Sequence, residues 1–289
     1  MLSVLRILVA TGLVLSLVLV DAAGAETPAT TRVGTLQQVL SDYQRQSGIT
    51  VAMLQQESVD ALLSGDTVYR KLEVEQQDAN GKSRTALRIV GYRLIGKPRE
   101  SLWLSALGVD TGFSERLTEH FVRTHKEGGA SWYQHLNMPW PLKDRHWLVR
   151  SNKNVDIANA TNNRIWEHHW QLVPDARNKI ASLYDNGPVA GIKPEKAADA
   201  VLLPLNQGAW MMAAVSDTET LVVVHATVVL GGIVPDGMVA RQTRKNLIRM
   251  LTKIEEDADS VWTRYDASYQ IFRGDGTLIP PRISRQPNG

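Results

Sequence analysis

An α+β fold is predicted by three features of the chain: two alternating, β-branched segments flanking a turn, a succession of further short strands, and one long amphipathic helix after the last of them. The first two strands are Thr67 to Gln76 and Arg84 to Ile95. Asp78-Ala79-Asn80-Gly81 joins them, a sequence suited to a tight hairpin. Further strands are expected at Leu117 to Thr124, Ser131 to Asn137, His146 to Ser151, Asn163 to Val173, Ala209 to Val215 and Thr220 to Leu230. Their connections carry Gly-Gly, Pro, Asn and Asp, which favour turns. The last strand is almost continuously apolar, so both of its faces should be covered.

Helices are expected at four places. Thr35 opens the first, with Gln38 at capping-box spacing, Leu36, Val39, Leu40 and Tyr43 on one face, and Gly48 at its end. A short one covers Gln55 to Leu63, and Pro98 to Leu107 has Pro in its first turn. The longest starts at Pro235: Ala240, Thr243, Leu247, Leu251, Ile254, Ala258, Val261 and Tyr265 repeat at three- and four-residue steps. Arg244, Lys245, Arg249, Lys253, Glu255 and Glu256 take its opposite face. A sheet gripping such a helix leaves a natural apolar pocket between the two. After Asp266 the chain is Gly/Pro-rich and should wrap the surface.

Composition bounds the function. Lys+Arg 32 against Asp+Glu 30 gives a net charge of +2 over 289 residues, unlike the large basic excess of a nucleic-acid binder. With 43% hydrophobic residues the chain can build a core, and with no cysteine it has no disulfide, thiolate nucleophile or Cys-ligated zinc. Arg6, the apolar run Ile7 to Val20 and Ala23-Gly24-Ala25 read as a cleavable secretory leader. The run is shorter than the roughly 20 residues that span a bilayer. A periplasmic or secreted protein is expected, with an uncleaved anchor as the alternative. The chain then divides into a leader (1–25), an N-terminal helical extension (26–65), a main domain (66–265) and a C-terminal tail (266–289).

The stretch Pro139-Trp140-Pro141-Leu142-Lys143-Asp144-Arg145-His146-Trp147-Leu148-Val149 resembles the START lipid-transfer family, which has a Pro-aromatic-Pro-Leu turn and an Arg leading into a central strand. Trp132 lies upstream, where the family often has an aromatic residue. Gly231-Gly232-Ile233-Val234-Pro235 resembles the family's link from last strand to C-terminal helix. The two matches fall in the family's order, within roughly Asp66 to Tyr265. His146 replaces the family's Asp, and Gly231 its Lys. Ser151 stands where many members have a second Arg; Arg150 comes one residue earlier, which on a strand means the other face. The resemblance implies a helix-grip fold, a curved antiparallel sheet around the C-terminal helix with a hydrophobic cavity for one lipid.

Candidate ligand-binding residues follow. Trp132 and Trp147 belong to the START-like strands. Arg145, read as exposed at a strand start, could hold its turn or contact a carboxylate, sulfate or phosphate through its planar fork. His168 shares a strand face with Trp166, Trp170 and Leu172, and His225 interrupts Leu221, Val223, Thr227 and Val229. Each histidine is either a hydrogen-bonded core residue or a group that orients a ligand. Trp210 and Met212 follow Gly208 as core or adaptable pocket wall, and Leu247 and Leu251 line the helix. Pro139, Trp140 and Pro141 read as a rigid turn. His120 and His125 fall on opposite strand faces, and no HExxH, G-x-S-x-G or phosphate-loop pattern occurs, so no metal, cofactor or catalytic residue is assigned. The expected function is a non-catalytic carrier for one hydrophobic molecule such as a sterol, hopanoid, fatty acid or phospholipid. It would touch membranes transiently and release its load through the C-terminal helix or the loop Tyr184 to Pro194. The alternatives are a cyclase-, aromatase- or hydrolase-like enzyme using His168, His225 or Asp144, and an envelope interaction protein with a filled interior.

Overall fold

The structure, a computed structural model, describes residues 29–79, 81–108, 116–125, 129–264 and 271–280. The expected leader (1–25), Asn80 of the hairpin turn, Tyr265 and the end of the tail lie outside the described residues. Strands β1 (Val68–Gln77) and β2 (Ser83–Ile95) form the expected hairpin, in unbroken register from Val68 opposite Tyr92 to Gln77 opposite Ser83. The further strands are β3 (Leu117–Thr124), β4 (Ala130–Leu136), β5 (Arg145–Lys153), β6 (Ile165–Leu172), the short β7 (Val201–Leu202), β8 (Leu205–Ala214) and β9 (Thr220–Val229). They make one sheet in the order β1-β2-β9-β8-β6-β5-β4-β3, antiparallel except where β7 lies parallel to β5.

Alternation divides the sheet into two faces. On β9, Val222, Val224 and Ala226 join the core cluster of the long C-terminal helix, α7 (Asp236–Asp257). Leu221 and Val223 join the cluster of the N-terminal helices α1 (Ala29–Ser47) and α2 (Gln56–Leu63). Both faces of the last strand are therefore covered, as its apolar run predicts. The N-terminal helices are part of this packing: Leu36, Val39, Leu40 and Tyr43 bury against Val90, Tyr92, Met211 and Val223. Within the described residues helix α1 already covers Ala29 to Gly34, ahead of Thr35.

Helix α3 (Arg99–Gly108) shares the α7 face. Three short helices have no sequence-level counterpart: α4 (Val155–Ala160), α5 (Ala176–Leu183) and α6 (Pro194–Asp199). At six to eight residues they are too brief for periodicity to register. Asn154 still caps α4, its side chain accepting from Ile157 N at 3.2 Å. Helices α5 and α6 cover Tyr133 and Leu148 on the α1 side of the sheet. A last short helix is α8 (Val261–Arg264).

Part of the tail is built into the fold. Strands β10 (Ile271–Phe272) and β11 (Leu278–Ile279) form a small hairpin on the α7 face. Trp103 Nε1 donates to Phe272 O at 2.9 Å, and Arg273 Nε to Glu100 Oε1 at 2.7 Å. Among the described residues no helix is long and apolar enough to cross a membrane.

Between α7 and strands β2 and β9 the expected hollow is filled by side chains. Over β2 and β9, α7 packs straight onto the sheet. Gly91 makes that approach possible: a Cβ there would lie 3.1 Å from Leu251 Cδ1. Further along the same face, β3 to β6 carry a second apolar cluster, buried at Trp147 and Val149 and exposed at Trp132 and Phe121.

Candidate ligand-binding face

Residues paired across neighbouring strands share a face. The β6–β8 register pairs Trp166 with Met212, His168 with Trp210 and Trp170 with Gly208. The β5–β6 register pairs Val149 with Leu172, Ser151 with Trp170 and Lys153 with His168. Trp132 stands opposite Val149, Gln134 opposite Trp147, and Phe121 opposite Trp132. The expected residues Trp132, Trp147, His168, Trp170, Trp210 and Met212 thus fall on the α7 face.

They divide into two groups. Trp210, Met212, Leu247 and Leu251 are sealed in the core with Met250 and Ile254. Trp147 and Val149 form a separate cluster with Leu203, joined by Leu136, Trp170, Leu172, Val228 and Leu230. Trp170 touches both clusters. Toward the β3 edge this strip opens to solvent: Trp132 is 37% exposed and meets the half-exposed Phe121 edge to face, ring centres 5.3 Å apart.

Backbone geometry makes the strip. Trp170 lies across Gly208, where a Cβ would come within 2.3 Å of the indole and 2.2 Å of His225 O. Its Nε1 donates to Asn206 Oδ1 at 3.1 Å, and Trp147 Nε1 donates to Gln134 Oε1. The indole N–H groups are thus satisfied; the Trp147 ring is buried and the Trp170 ring half-buried.

One end of the strip is polar. Lys153 and His168 are cross-strand partners there, both half-buried. Burial lowers the Lys153 pKa, and its ammonium lies 4.9 Å from the Phe272 ring centre. Burial, then the neighbouring His169 and Lys153, lowers His168 to about 4, so its ring is neutral at pH 7. It meets Trp103 edge-on with ring centres 6.2 Å apart. Arg150 pairs with Gln171 and faces away, as its one-residue offset predicts.

Arg145 is a correction. Expected at the surface, it is 2% exposed. Its Nε donates to Leu230 O at 2.9 Å, its Nη2 to Gly231 O at 3.0 Å, and its Nη1 to Lys143 O. The guanidinium therefore ties the Pro139–Lys143 turn to the link between β9 and α7. Asp144 holds the same turn by accepting from Met138 N at 2.8 Å. Three large apolar side chains protrude from these two tied loops and the first turn of α7: Trp140 (91% exposed), Ile233 (82%) and Met238 (60%).

His225 is not brought to the strip. It sits on the opposite face, its Nε2 2.9 Å from the Tyr43 hydroxyl of α1. That hydroxyl donates to Glu167 Oε1 at 3.3 Å, and Asn154 Nδ2 donates to Glu167 Oε2 at 2.8 Å. Burial raises Glu167 above the usual carboxylate range and lowers His225 to about 3. Phe121, Val149, Leu172 and Lys153 were not among the expected site residues. Val149 and Leu172 each stand two residues from an expected Trp, a spacing that could have found them.

Elsewhere, open grooves of about 490 Å³ and 370 Å³ lie between α2 and β1, lined by Glu57, Ser58 and Thr67 to Lys71, and beside α1 and α4, lined by Asp42, Arg45 and Arg164. Among the described residues no group of His, Asp and Glu is arranged to hold a metal ion.

No family model and no curated protein matches the chain. Among solved structures it is similar to human STARD10, at 12% identity and TM-score 0.44, covering 73% of this chain and 82% of that one. It is similar to human StAR-related lipid transfer protein 5, at 10% identity and TM-score 0.45, covering 80% and 98%. A STAR-related lipid transfer protein fragment from Xanthomonas axonopodis matches at 12% identity and TM-score 0.42, covering 65% and 98%. The chain's own topology, one antiparallel sheet crossed by a long C-terminal helix that lies on β2 and β9, is a helix-grip α+β fold.

Proposed function

We propose that this protein binds a single hydrophobic molecule along the strip of Trp132, Trp147, Val149, Trp170 and Leu172 and carries it through an aqueous compartment. One observation carries the reading. Helix α7 closes the sheet face over β2 and β9, and beside it an aromatic cluster runs from the buried Trp147 and Val149 through the half-buried Trp170 and Leu172 to Trp132 and Phe121, exposed at the β3 edge. An apolar cluster that reaches solvent at one edge offers a hydrophobic ligand an entry. Burying about 400 Å² of ligand at about 25 cal/mol per Å² gives at most about 10 kcal/mol before ordering costs, enough for micromolar binding.

The leader-like segment supports an exported carrier, acting in the periplasm or outside the cell. Trp140, Ile233 and Met238 support transient membrane contact at the loop end of the strip, since Trp favours the bilayer interface. His168 and His225 lie on opposite faces and cannot act together on one substrate, so each is a lone candidate for acid–base chemistry, which favours a carrier.

The test is organic extraction of purified protein followed by mass spectrometry, with a lipid titration read by thermal shift. A stoichiometric hydrophobic ligand, or a rise in melting temperature with added lipid, is expected. A protein that retains no lipid and responds to none would end the proposal.

A further inference from the structure

Strand β1 leaves one side of its backbone open. It ends the sheet order, and among the described residues no backbone hydrogen bond joins its outer side to another strand. Asp78 N donates to Lys82 O at 2.9 Å, so alternation along the unbroken register turns the N–H and C=O groups of Tyr69, Lys71, Glu73 and Glu75 outward. Arg70 Nη1 takes the Tyr69 carbonyl at 2.8 Å. The other edge, β3, is broken by a register shift between Phe121 and Arg123, an irregularity that hinders edge pairing. Strand β1 has no such shift and no proline. Tyr69, Lys71, Glu73 and Glu75 are exposed on the α7 side, while Val68 and Leu72 face α2. The open groove of about 490 Å³ between α2 and β1 leaves clearance along this edge.

We infer that this edge takes the same edge of a second copy, antiparallel across a two-fold axis at Leu72, so that two sheets join into one. Parity and charge select the register. Outward-turned residues pair only with one another, so a two-fold axis falls on a residue of β1 and not between two. An axis at Lys71 sets Lys71 against itself, and one at Glu73 sets Glu73 against itself. An axis at Arg70 opposes the two arginines, and one at Val74 opposes Glu73 and Glu75. The axis at Leu72 alone among these brings no like charges together: Lys71 stands opposite Glu73 twice, Tyr69 opposite Glu75, and Leu72 opposite Leu72. Self-complementarity of this kind is what an isologous two-fold contact requires. A single strand pair is smaller than the roughly 1,200 Å² of a standard interface, so association is expected in the micromolar range.

Analytical ultracentrifugation of the purified protein, from low to high micromolar concentration, should show monomer passing into dimer. Lys71→Glu and Glu73→Lys each set like charges opposite one another at this register, and each should weaken self-association roughly tenfold or more. Mixing the two variants should restore a dimer, because each supplies the charge that the other lacks. The chain has no cysteine, so Leu72→Cys is a single-site probe. Its Cα should stand about 4.5 Å from its counterpart, within disulfide reach, and mild oxidation should link the two copies. Tyr69→Cys, opposite Glu75 and away from its own counterpart, should not link. A protein that is monomeric at every concentration overturns the inference. So does a dimer indifferent to both charge reversals, a mixture that stays monomeric, or a dimer that links through Tyr69→Cys and not through Leu72→Cys.

Discussion

The hydroxyl of Tyr43 stands 2.9 Å from Nε2 of His225, joining the first helix to the last strand across the sheet face that α7 does not cover. Because the hydroxyl donates its proton to Glu167, it must accept from the histidine, which fixes the Nε2–H tautomer. Tyr43→Phe would leave the imidazole and one carboxyl oxygen of Glu167 buried without that partner. Stability should fall by about 1–3 kcal/mol, the cost of stranding buried polar groups. Urea unfolding measures it. Ligand affinity should not change, because the contact lies behind the sheet. An unchanged midpoint would mean that the polar contact adds nothing to the docking of α1.

The same histidine sets an acid limit. Burial, then the nearby Arg88, lowers His225 to about 3, while an unfolded histidine takes up its proton near 6.5. As pH falls through 6.5 the unfolded chain gains a proton that the folded one refuses, so stability is present above 6.5 and is lost toward pH 3. Each such histidine steepens the loss by up to about 1.4 kcal/mol per pH unit. His168 and His146, each lowered to about 4, add to the slope. Urea midpoints between pH 7.5 and 4.5 should therefore decline, and His225→Gln should flatten the decline without abolishing it. A wild-type curve level over that range would contradict a neutral buried His225.

Gly208 is expected to tolerate no side chain. A Cβ there meets both the backbone oxygen of His225 and the Trp170 ring, and the backbone cannot move without disturbing the β8–β9 ladder. Gly208→Ala should cost about 1–3 kcal/mol or more. It should also push the Trp170 ring out into the strip, lowering ligand affinity and shifting tryptophan fluorescence. Wild-type stability and affinity in this variant would show that Trp170 does not lie on the glycine.

Trp132→Ala tests the strip itself. The ring is partly exposed and packs on Phe121 at the sheet edge, so removing it should change stability little. A ligand that covers it loses roughly 1.4 kcal/mol or more of apolar contact, a tenfold or greater weakening. Isothermal titration with a lipid that raises the melting temperature reads this directly, and an unaltered dissociation constant would remove Trp132 from the site.

Much of this was legible in the sequence for local reasons. Alternation located β3 to the residue and put His168 on one face with Trp166, Trp170 and Leu172. It could not orient His225, because β9 is apolar on both faces and parity there marks no inside. Arg145 read as exposed because its acceptors Leu230 and Gly231 lie far along the chain and carry no local signature. A hollow between sheet and α7 is expected because helical period shows which residues face the sheet, not how closely they approach it. That distance is set by Gly91, a contact between elements remote in sequence.

The tied loops make a last prediction. Arg145 holds the Trp140 turn and the Ile233 link against one another through three carbonyls, so the two side chains protrude from one rigid edge. Exposed apolar residues held this way contribute little to folding, and Trp140→Ser with Ile233→Ser should leave urea stability within about 0.5 kcal/mol of wild type. Affinity for a soluble hydrophobic ligand should also hold, since neither side chain belongs to the strip. What should drop, severalfold, is cosedimentation with phosphatidylcholine vesicles and the rate of ligand transfer between them, because interfacial Trp and Ile are the groups that enter the headgroup layer. Arg145→Met supplies the contrast: it strands buried carbonyls and should cost stability as well as vesicle binding. Should the double Ser variant bind and exchange with vesicles as wild type does, this edge is not where the protein meets the membrane.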